Sequence, residues 1–109
     1  MREKDIERIL VEEVRRLGGR AYKWTSPGNA GVPDRIVFFP GRTPVFTELK
    51  AESGSLTKLQ RVQIRRLQEL GQEVCVVKGL AGLIEFFEDR GYMDTASRIR
   101  TKYQEPQEG

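Results

Sequence analysis

Residues 31–51, GVPDRIVFFPGRTPVFTELKA, decide the fold of this chain, because they contain two strand-like runs separated by a turn. The first run is Asp34 to Phe39 and the second is Val45 to Ala51, and both are typical of β-strands. The segment between them carries two prolines and a glycine, which favours a short connection. The stretch therefore predicts a β-hairpin.

The hairpin brings charged side chains together. Because side chains alternate across a strand, Glu48 and Lys50 point to one face and Leu49 to the other, while Asp34 can lie alongside them. Adjacent carboxylates repel unless a cation lies between them, and oxygen ligands favour a magnesium-type ion. These groups suit metal-assisted phosphodiester hydrolysis. The spacing alone leaves open a solvated strand face, with Asp34 capping a loop.

The first predicted helix carries a carboxylate on its apolar stripe. Apolar residues recur at helical spacing from Lys4 to Leu17, and the two glycines that follow end the pattern. At about 100° per residue, Glu7 falls on this stripe, and Glu3 lies on it one turn earlier. We expect Glu7 to face inward, where an uncompensated carboxylate needs a cation, a metal or an edge position; a position at the border of the core is the alternative.

A second helix is predicted from Thr57 to Leu70, with Gln60 on its apolar side. The amide of Gln60 would hold a water, a phosphate or the site carboxylates, or would bond to backbone at the core edge. A basic stripe on the opposite side suits backbone phosphates or a solvated face, and consists of Lys58, Arg61 and Arg65. In the breaker-rich loop at residues 25–33, Ser26 is a candidate DNA contact.

The remaining segments complete one mixed α/β sheet flanked by helices, in the order α-β-β-β-α-β-α. Strands are predicted at Arg20 to Trp24 and Glu73 to Val77, and a helix at Leu80 to Asp89, which we assign to the core rather than to an interface. Tyr22 and Trp24 are interpreted as packing residues, with stacking on an unpaired base as the alternative. We expect a single domain at residues 1–92 and a polar, partly frayed tail at 93–109.

Composition excludes several classes of chemistry. The 109 residues include no histidine and one cysteine, so catalysis by Ser-His-Asp or Cys-His pairs, histidine-containing zinc sites and an intrachain disulfide are all impossible. The net charge of +3 is compatible with a polyanionic partner and also with ordinary solubility. No apolar run is long enough for a membrane span, and we expect a cytoplasmic protein.

The ordered set of motifs resembles the VRR-NUC (virus-type replication-repair nuclease) family of the PD-(D/E)-X-K superfamily, with a restriction-endonuclease-like core. The resemblance rests on Glu7, on GVPD at 31–34, on ELK at 48–50 and on LTKLQ at 56–60. Thr57 and Lys58 occupy the place where many members carry Ser-Pro, which should affect only how the helix begins.

This resemblance implies a DNA endonuclease that depends on Mg²⁺ or Mn²⁺. It implies Asp34, Glu48 and the Leu49 backbone carbonyl as metal ligands and Lys50 as the catalytic lysine. It also implies Glu7 and Gln60 as supporting catalytic residues, with Glu7 a possible further ligand and Glu3 as its rival. It also implies branched DNA, a four-way (Holliday) junction above all, as the substrate, and a homodimer, which supplies two sites for two strands.

Two other functions stay open. A noncatalytic nucleic-acid-binding module on the same fold is the main alternative, and a divalent ion at Asp34 and Glu48 would distinguish the two. A sequence-specific restriction-type enzyme is disfavoured, because the chain has little beyond a catalytic core with which to read bases.

Overall fold

The predicted hairpin forms the centre of a four-stranded sheet in a computed structural model of the chain, which describes residues 1–104. Within these residues, four helices and four strands follow one another. They are α1 (Glu3–Arg16), β1 (Arg20–Lys23), β2 (Arg35–Phe38), β3 (Val45–Lys50), α2 (Lys58–Glu69), β4 (Glu73–Lys78), α3 (Gly79–Asp89) and α4 (Met93–Tyr103).

The sheet has the strand order β1-β2-β3-β4. Its first three strands are antiparallel neighbours, whereas β4 lies parallel to β3 and is reached through α2. A parallel pair needs such a crossover, because its strands run in the same direction. The predicted mixed sheet flanked by helices is therefore confirmed. Asp34 lies one residue before β2 instead of opening that strand.

The two faces of the sheet differ in how they are covered. The core face contacts α1 and α3 and carries buried residues that include Val37, Leu49 and Val77. The opposite face, which we call the α2 face, includes Phe46, Glu48, Lys50 and Val76, and α2 packs on it at β4. This assignment follows from the strand register, because side chains opposite each other in neighbouring strands share a face.

Helix α3 belongs to the core, as predicted. Its apolar side is buried and joins residues of α1 and of the sheet in one cluster. The buried apolar side chains of α3 are Leu83, Ile84, Phe86 and Phe87. No helix within residues 1–104 is both long enough and apolar enough to cross a membrane.

The predicted polar tail is wrong for most of its length. The chain continues after Tyr92 into α4, and this helix packs on α3 with Thr95, Ala96 and Ile99 buried. Few apolar residues mark this helix, because one narrow stripe is enough to seat it on a neighbour that is already formed. The boundary at residue 92 therefore does not end the packed structure, and residues 105–109 lie outside the described part of the chain.

Helix α4 also supplies the partner of a buried carboxylate. Glu13 on α1 is only 2% exposed and accepts a hydrogen bond from Nη2 of Arg98 on α4. The Arg16 guanidinium lies 3.9 Å from the same Glu13 oxygen. The Arg98 pair joins α1 to α4, the first and last described helices, whereas the Arg16 pair lies within α1.

Candidate active site

The site forms where β3 ends and the loop before β2 approaches it. Asp34 Oδ2 accepts a hydrogen bond of 2.9 Å from the Leu49 backbone N–H, so its carboxylate is tied to β3. Arg35 pairs with Thr47, and continuing this register by one residue places Asp34 opposite Glu48. The predicted approach of Asp34 to Glu48 and Lys50 is thus present in the structure.

Glu48 is the central group of this cluster and is 2% exposed. Its Oε2 accepts a hydrogen bond of 2.9 Å from Gln60 Nε2 and lies 3.6 Å from Lys50 Nζ. Its Oε1 is buried without a hydrogen-bond partner. Among the side-chain nitrogen and oxygen atoms of residues 1–104, Nε of Arg90 is the other buried atom that lacks one. An unpaired buried carboxylate oxygen is costly, so it marks a place where a further group would be favoured.

The surroundings of Glu48 favour its neutral form. Burial is the largest cause, followed by the negative charge of Asp34, and together they raise the pKa of Glu48 to about 7. Lys50 opposes this shift, and the charge of Glu3 adds to it. Two carboxylates held this close would be stabilised by a cation between them.

Gln60 connects the start of α2 to Glu48. Its Oε1 accepts a hydrogen bond of 2.9 Å from the backbone N–H of Thr57, and the Thr57 hydroxyl accepts one of 3.2 Å from the backbone N–H of Gln60. This reciprocal pair is a capping box, which satisfies two backbone donors at the helix start. The Gln60 side chain therefore both takes part in the cap of α2 and donates to Glu48, which agrees with its predicted inward position.

Gly31 lets the loop before Asp34 pack against α2. Its φ is +90°, and a Cβ there would lie 2.8 Å from the Leu59 carbonyl carbon and 3.0 Å from the Gln60 nitrogen. A side chain would be both strained and crowded. The glycine thus holds the loop and the first turn of α2 at contact distance.

Glu7 faces inward, as the helical phase predicts, and the structure pairs it with an arginine. Its Oε2 accepts a hydrogen bond of 3.1 Å from Arg35 Nε. Nη1 of Arg35 also donates a hydrogen bond of 2.9 Å to the Ala21 backbone carbonyl. Glu3, the rival, is the α1 carboxylate whose charge acts on Glu48.

Sequence reasoning missed Arg35. Alternation along β2 puts this residue on the core face, next to α1, since Asp34 belongs to the opposite face. An inward carboxylate on α1 needs a cation, and Arg35 is the one that the structure brings to Glu7. This combination of strand parity and helix phase was the signal.

The four predicted DNA-contact residues lie on α2 and in the loop after β1. The α2 residues Lys58, Arg61 and Arg65 are exposed, as the helical phase predicts. Ser26 is half-buried, and its hydroxyl accepts a hydrogen bond of 3.0 Å from Asn29. The basic stripe is thus exposed to solvent, whereas the Ser26 side chain forms a hydrogen bond within a local turn.

The donor set fits a hard divalent cation. No group of three or more Asp, Glu, His or Cys residues able to hold a metal is found within residues 1–104. Magnesium does not require one, because it is commonly held by one or two carboxylates together with water and substrate phosphate. Asp34 and the unpartnered oxygen of Glu48 match that requirement.

Comparison with known proteins gives three results. No family model matches the chain. A protein named "Putative nuclease p44", from Acyrthosiphon pisum secondary endosymbiont phage 1, is 47% identical over 77 residues, which are 71% of this chain and 83% of that protein. A solved structure described as a VRR_NUC domain has the same fold, with a TM-score of 0.64 and 21% identity over 93% of this chain and 96% of its own. The chain belongs to the VRR-NUC family of nucleases.

Proposed function

We propose that this protein is a divalent-metal-dependent DNA endonuclease that cleaves branched DNA, with the four-way junction as preferred substrate. The observation that carries the proposal is the buried Glu48, which has one unpartnered oxygen and lies beside Asp34 and Lys50. A buried cluster of this kind lowers stability and is retained where it binds or reacts. The phage relative that is named a nuclease supports the same conclusion.

Asp34 and Glu48 would hold Mg²⁺ or Mn²⁺ together with the Leu49 backbone carbonyl. Because the Leu49 N–H donates to Asp34, its carbonyl points toward the same edge of β3, since both groups of one strand residue project to one side. When bound, such an ion polarises a phosphate oxygen and lowers the pKa of water. Glu3 is the α1 carboxylate that we assign to this set in place of Glu7.

Lys50 and Gln60 act around the phosphate. The Lys50 ammonium stabilises negative charge that develops on the phosphate during attack, and its nearby ion pair with Glu48 holds it at the site. Gln60 fixes the orientation of Glu48 through its hydrogen bond. Lys58, Arg61 and Arg65 would bind backbone phosphates from the exposed side of α2.

A homodimer provides the two active sites that cutting two symmetry-related strands requires. A chain with one site obtains the second most simply through a twofold axis. We place the enzyme in the cytoplasm of a bacterial or phage-infected cell, in keeping with its phage relative.

The test incubates the purified protein with a labelled four-way junction and a matched linear duplex, with and without Mg²⁺ or Mn²⁺. Lys50→Ala and the conservative Asp34→Asn serve as paired variants, because the asparagine oxygen still accepts from Leu49. Metal-dependent cutting of the junction that both folded variants lose supports the proposal. Tight binding without cutting of any branched substrate would identify a noncatalytic binding module, and equal cutting of the duplex would overturn the junction preference.

A further inference from the structure

The α2 face is only partly covered. Helix α2 packs on it at β4, whereas Tyr22 on β1 is 59% exposed and Phe38 on β2 is 39% exposed. Tyr22 pairs with Ile36, which pairs with Phe46, so the tyrosine lies on the face that also carries Glu48. Two exposed aromatic side chains therefore lie on the face of the sheet that carries the proposed metal ligands.

We propose that Tyr22 stacks on an unpaired nucleobase of the DNA strand that is bound at Asp34 and Glu48. This inference rests on the proposed function and adds a substrate feature to it, namely a base freed from its pair near the scissile phosphate. Aromatic side chains bind unpaired bases in this way, because every base presents a flat π-face.

The spacing between Tyr22 and the carboxylates suits one bound strand. Tyr22 lies two strands across and two residues along from Glu48, which is about 12 Å by ideal sheet dimensions. Stacked DNA rises about 3.4 Å per nucleotide, so a few nucleotides span this distance. One strand can therefore place a phosphate at Glu48 and a base at Tyr22.

The tyrosine ring has an aromatic neighbour but stays largely exposed. Phe38 lies against it in a T-shaped contact, with ring centroids 5.9 Å apart and planes at 60°, and Tyr22 is 59% exposed. Such contacts favour a defined orientation of the ring. A ring that is already oriented loses little conformational freedom when a base stacks on it.

Charge favours a polynucleotide over a second copy of the chain on this surface. Arg20, on the same face of β1 as Tyr22, is exposed, and Lys58 and Arg61 are exposed on α2. Cations together with exposed aromatic side chains match the phosphates and bases of one strand. A second copy seated on Tyr22 would also crowd the approach of DNA to Asp34 and Glu48.

The experiment measures 2-aminopurine fluorescence in branched DNA that carries the probe at successive unpaired positions around the branch. Lys50→Ala serves as the background, in Mg²⁺, to keep the DNA intact. Binding should quench the probe at one position. Adding Tyr22→Phe should preserve the quenching, whereas adding Tyr22→Leu should abolish it and weaken binding by about 5- to 150-fold.

Two controls separate stacking from apolar packing. Leu70→Ala, in the same background, removes another exposed apolar side chain, located at the far end of α2, and should leave quenching and affinity unchanged. A fully paired duplex should bind Tyr22→Leu and its parent equally well. Sedimentation of each variant reports whether Tyr22 lies between two copies.

The outcomes distinguish this inference from the proposed function. Quenching without cleavage by the wild-type protein would support the tyrosine stack while the endonuclease proposal fails. Two results would overturn the tyrosine stack and leave the endonuclease proposal standing, provided that the wild-type protein cleaves. One is the absence of quenching at every probe position, and the other is equal quenching and affinity in Tyr22→Leu and its parent. A Tyr22→Leu variant that changes from dimer to monomer would also overturn it.

Discussion

Two glutamates are equally buried in this protein but have opposite surroundings. Glu13 on α1 and Glu48 on β3 are each 2% exposed. Glu13 is paired with the guanidinium groups of Arg98 and Arg16. Glu48 lies beside another carboxylate, Asp34, and one of its two oxygens has no hydrogen-bond partner.

The difference separates a group that maintains the fold from one retained for function. A buried charge whose partners are in place is compensated, whereas a buried carboxylate beside a second one favours its neutral form until a cation arrives. We therefore expect changes at Glu13 to act on stability and changes at Glu48 to act on cleavage.

Glu48→Gln should have the largest effect. Removing one charged ligand should lower the cleavage rate by at least roughly 10²- to 10³-fold, the loss typical of one electrostatic group at a reacting phosphate or carbonyl. The melting temperature at pH 8 should stay equal or rise, because the buried charge is gone. Glu13→Gln is the matched control and should melt lower while cleaving normally. Equal cleavage losses in both folded variants would contradict the distinction.

Arg98→Ala should produce the largest loss of stability. It leaves Glu13 buried with only the more distant Arg16. We expect a cost of about 2 kcal/mol in urea unfolding, less than for a fully buried pair, because the Arg98 side chain is 43% exposed. Arg100→Ala on the same helix removes a partly exposed pair with Glu88 and should cost less than about 1 kcal/mol. Similar costs for the two variants would show that the Glu13 pair contributes no more than a surface ion pair.

The pH dependence of stability should report on Glu48. Burial and then Asp34 raise the pKa of Glu48 to about 7 in the folded chain, above the ordinary value of 4.5 that applies when unfolded. Between pH 4.5 and about pH 7 the folded state therefore binds more protons than the unfolded state. The contribution of Glu48 to stability is fully present below about pH 4.5 and is lost as the pH rises through about 7.

The measurement compares melting temperatures of wild type and Glu48→Gln in a chelator from pH 5 to pH 8. The melting temperature of the wild-type protein should fall further below that of the variant as the pH rises. Adding Mg²⁺ at pH 8 should raise the melting temperature of the wild-type protein but not that of the variant, because binding to the folded state stabilises it. Parallel curves for the two proteins would contradict the assigned ionisation.

Thr57→Ala should have the smallest effect. It removes the α2 cap at a cost of about 1 kcal/mol but leaves Gln60 able to donate to Glu48, so cleavage should change little. Gln60→Ala removes both contacts and should reduce cleavage further at a similar loss of stability. Identical cleavage in the two variants would mean that the bond from Gln60 to Glu48 does not position the carboxylate.

Local periodicity was sufficient to predict most of the fold. Alternation along β3 placed Glu48 and Lys50 on one face, the hairpin brought Asp34 to them, and helical phase turned Gln60 inward. Each of these predictions depends on residues close in sequence or on one tight connection. The roles of these residues in metal binding and cleavage remain proposals.

Helix α4 and the two arginine partners could not be predicted in the same way. Only one narrow stripe of α4 is buried, so its sequence resembles a polar tail until α3 is present to pack against it. Arg98 is 85 residues from Glu13, and Arg35 is 28 residues from Glu7. Periodicity within one element carries no information about such distant pairings.

The amino-acid pattern fixed which side chains share a face, since backbone geometry repeats every two residues in a strand and every 3.6 in a helix. Only the packed structure decided which charge meets which, because that depends on how complete elements approach one another. It paired Glu7 with Arg35 and Glu13 with Arg98, and it left one oxygen of Glu48 without a partner beside Asp34. The same inward position on a helix or strand thus became a structural ion pair in two places and a candidate active site in the third.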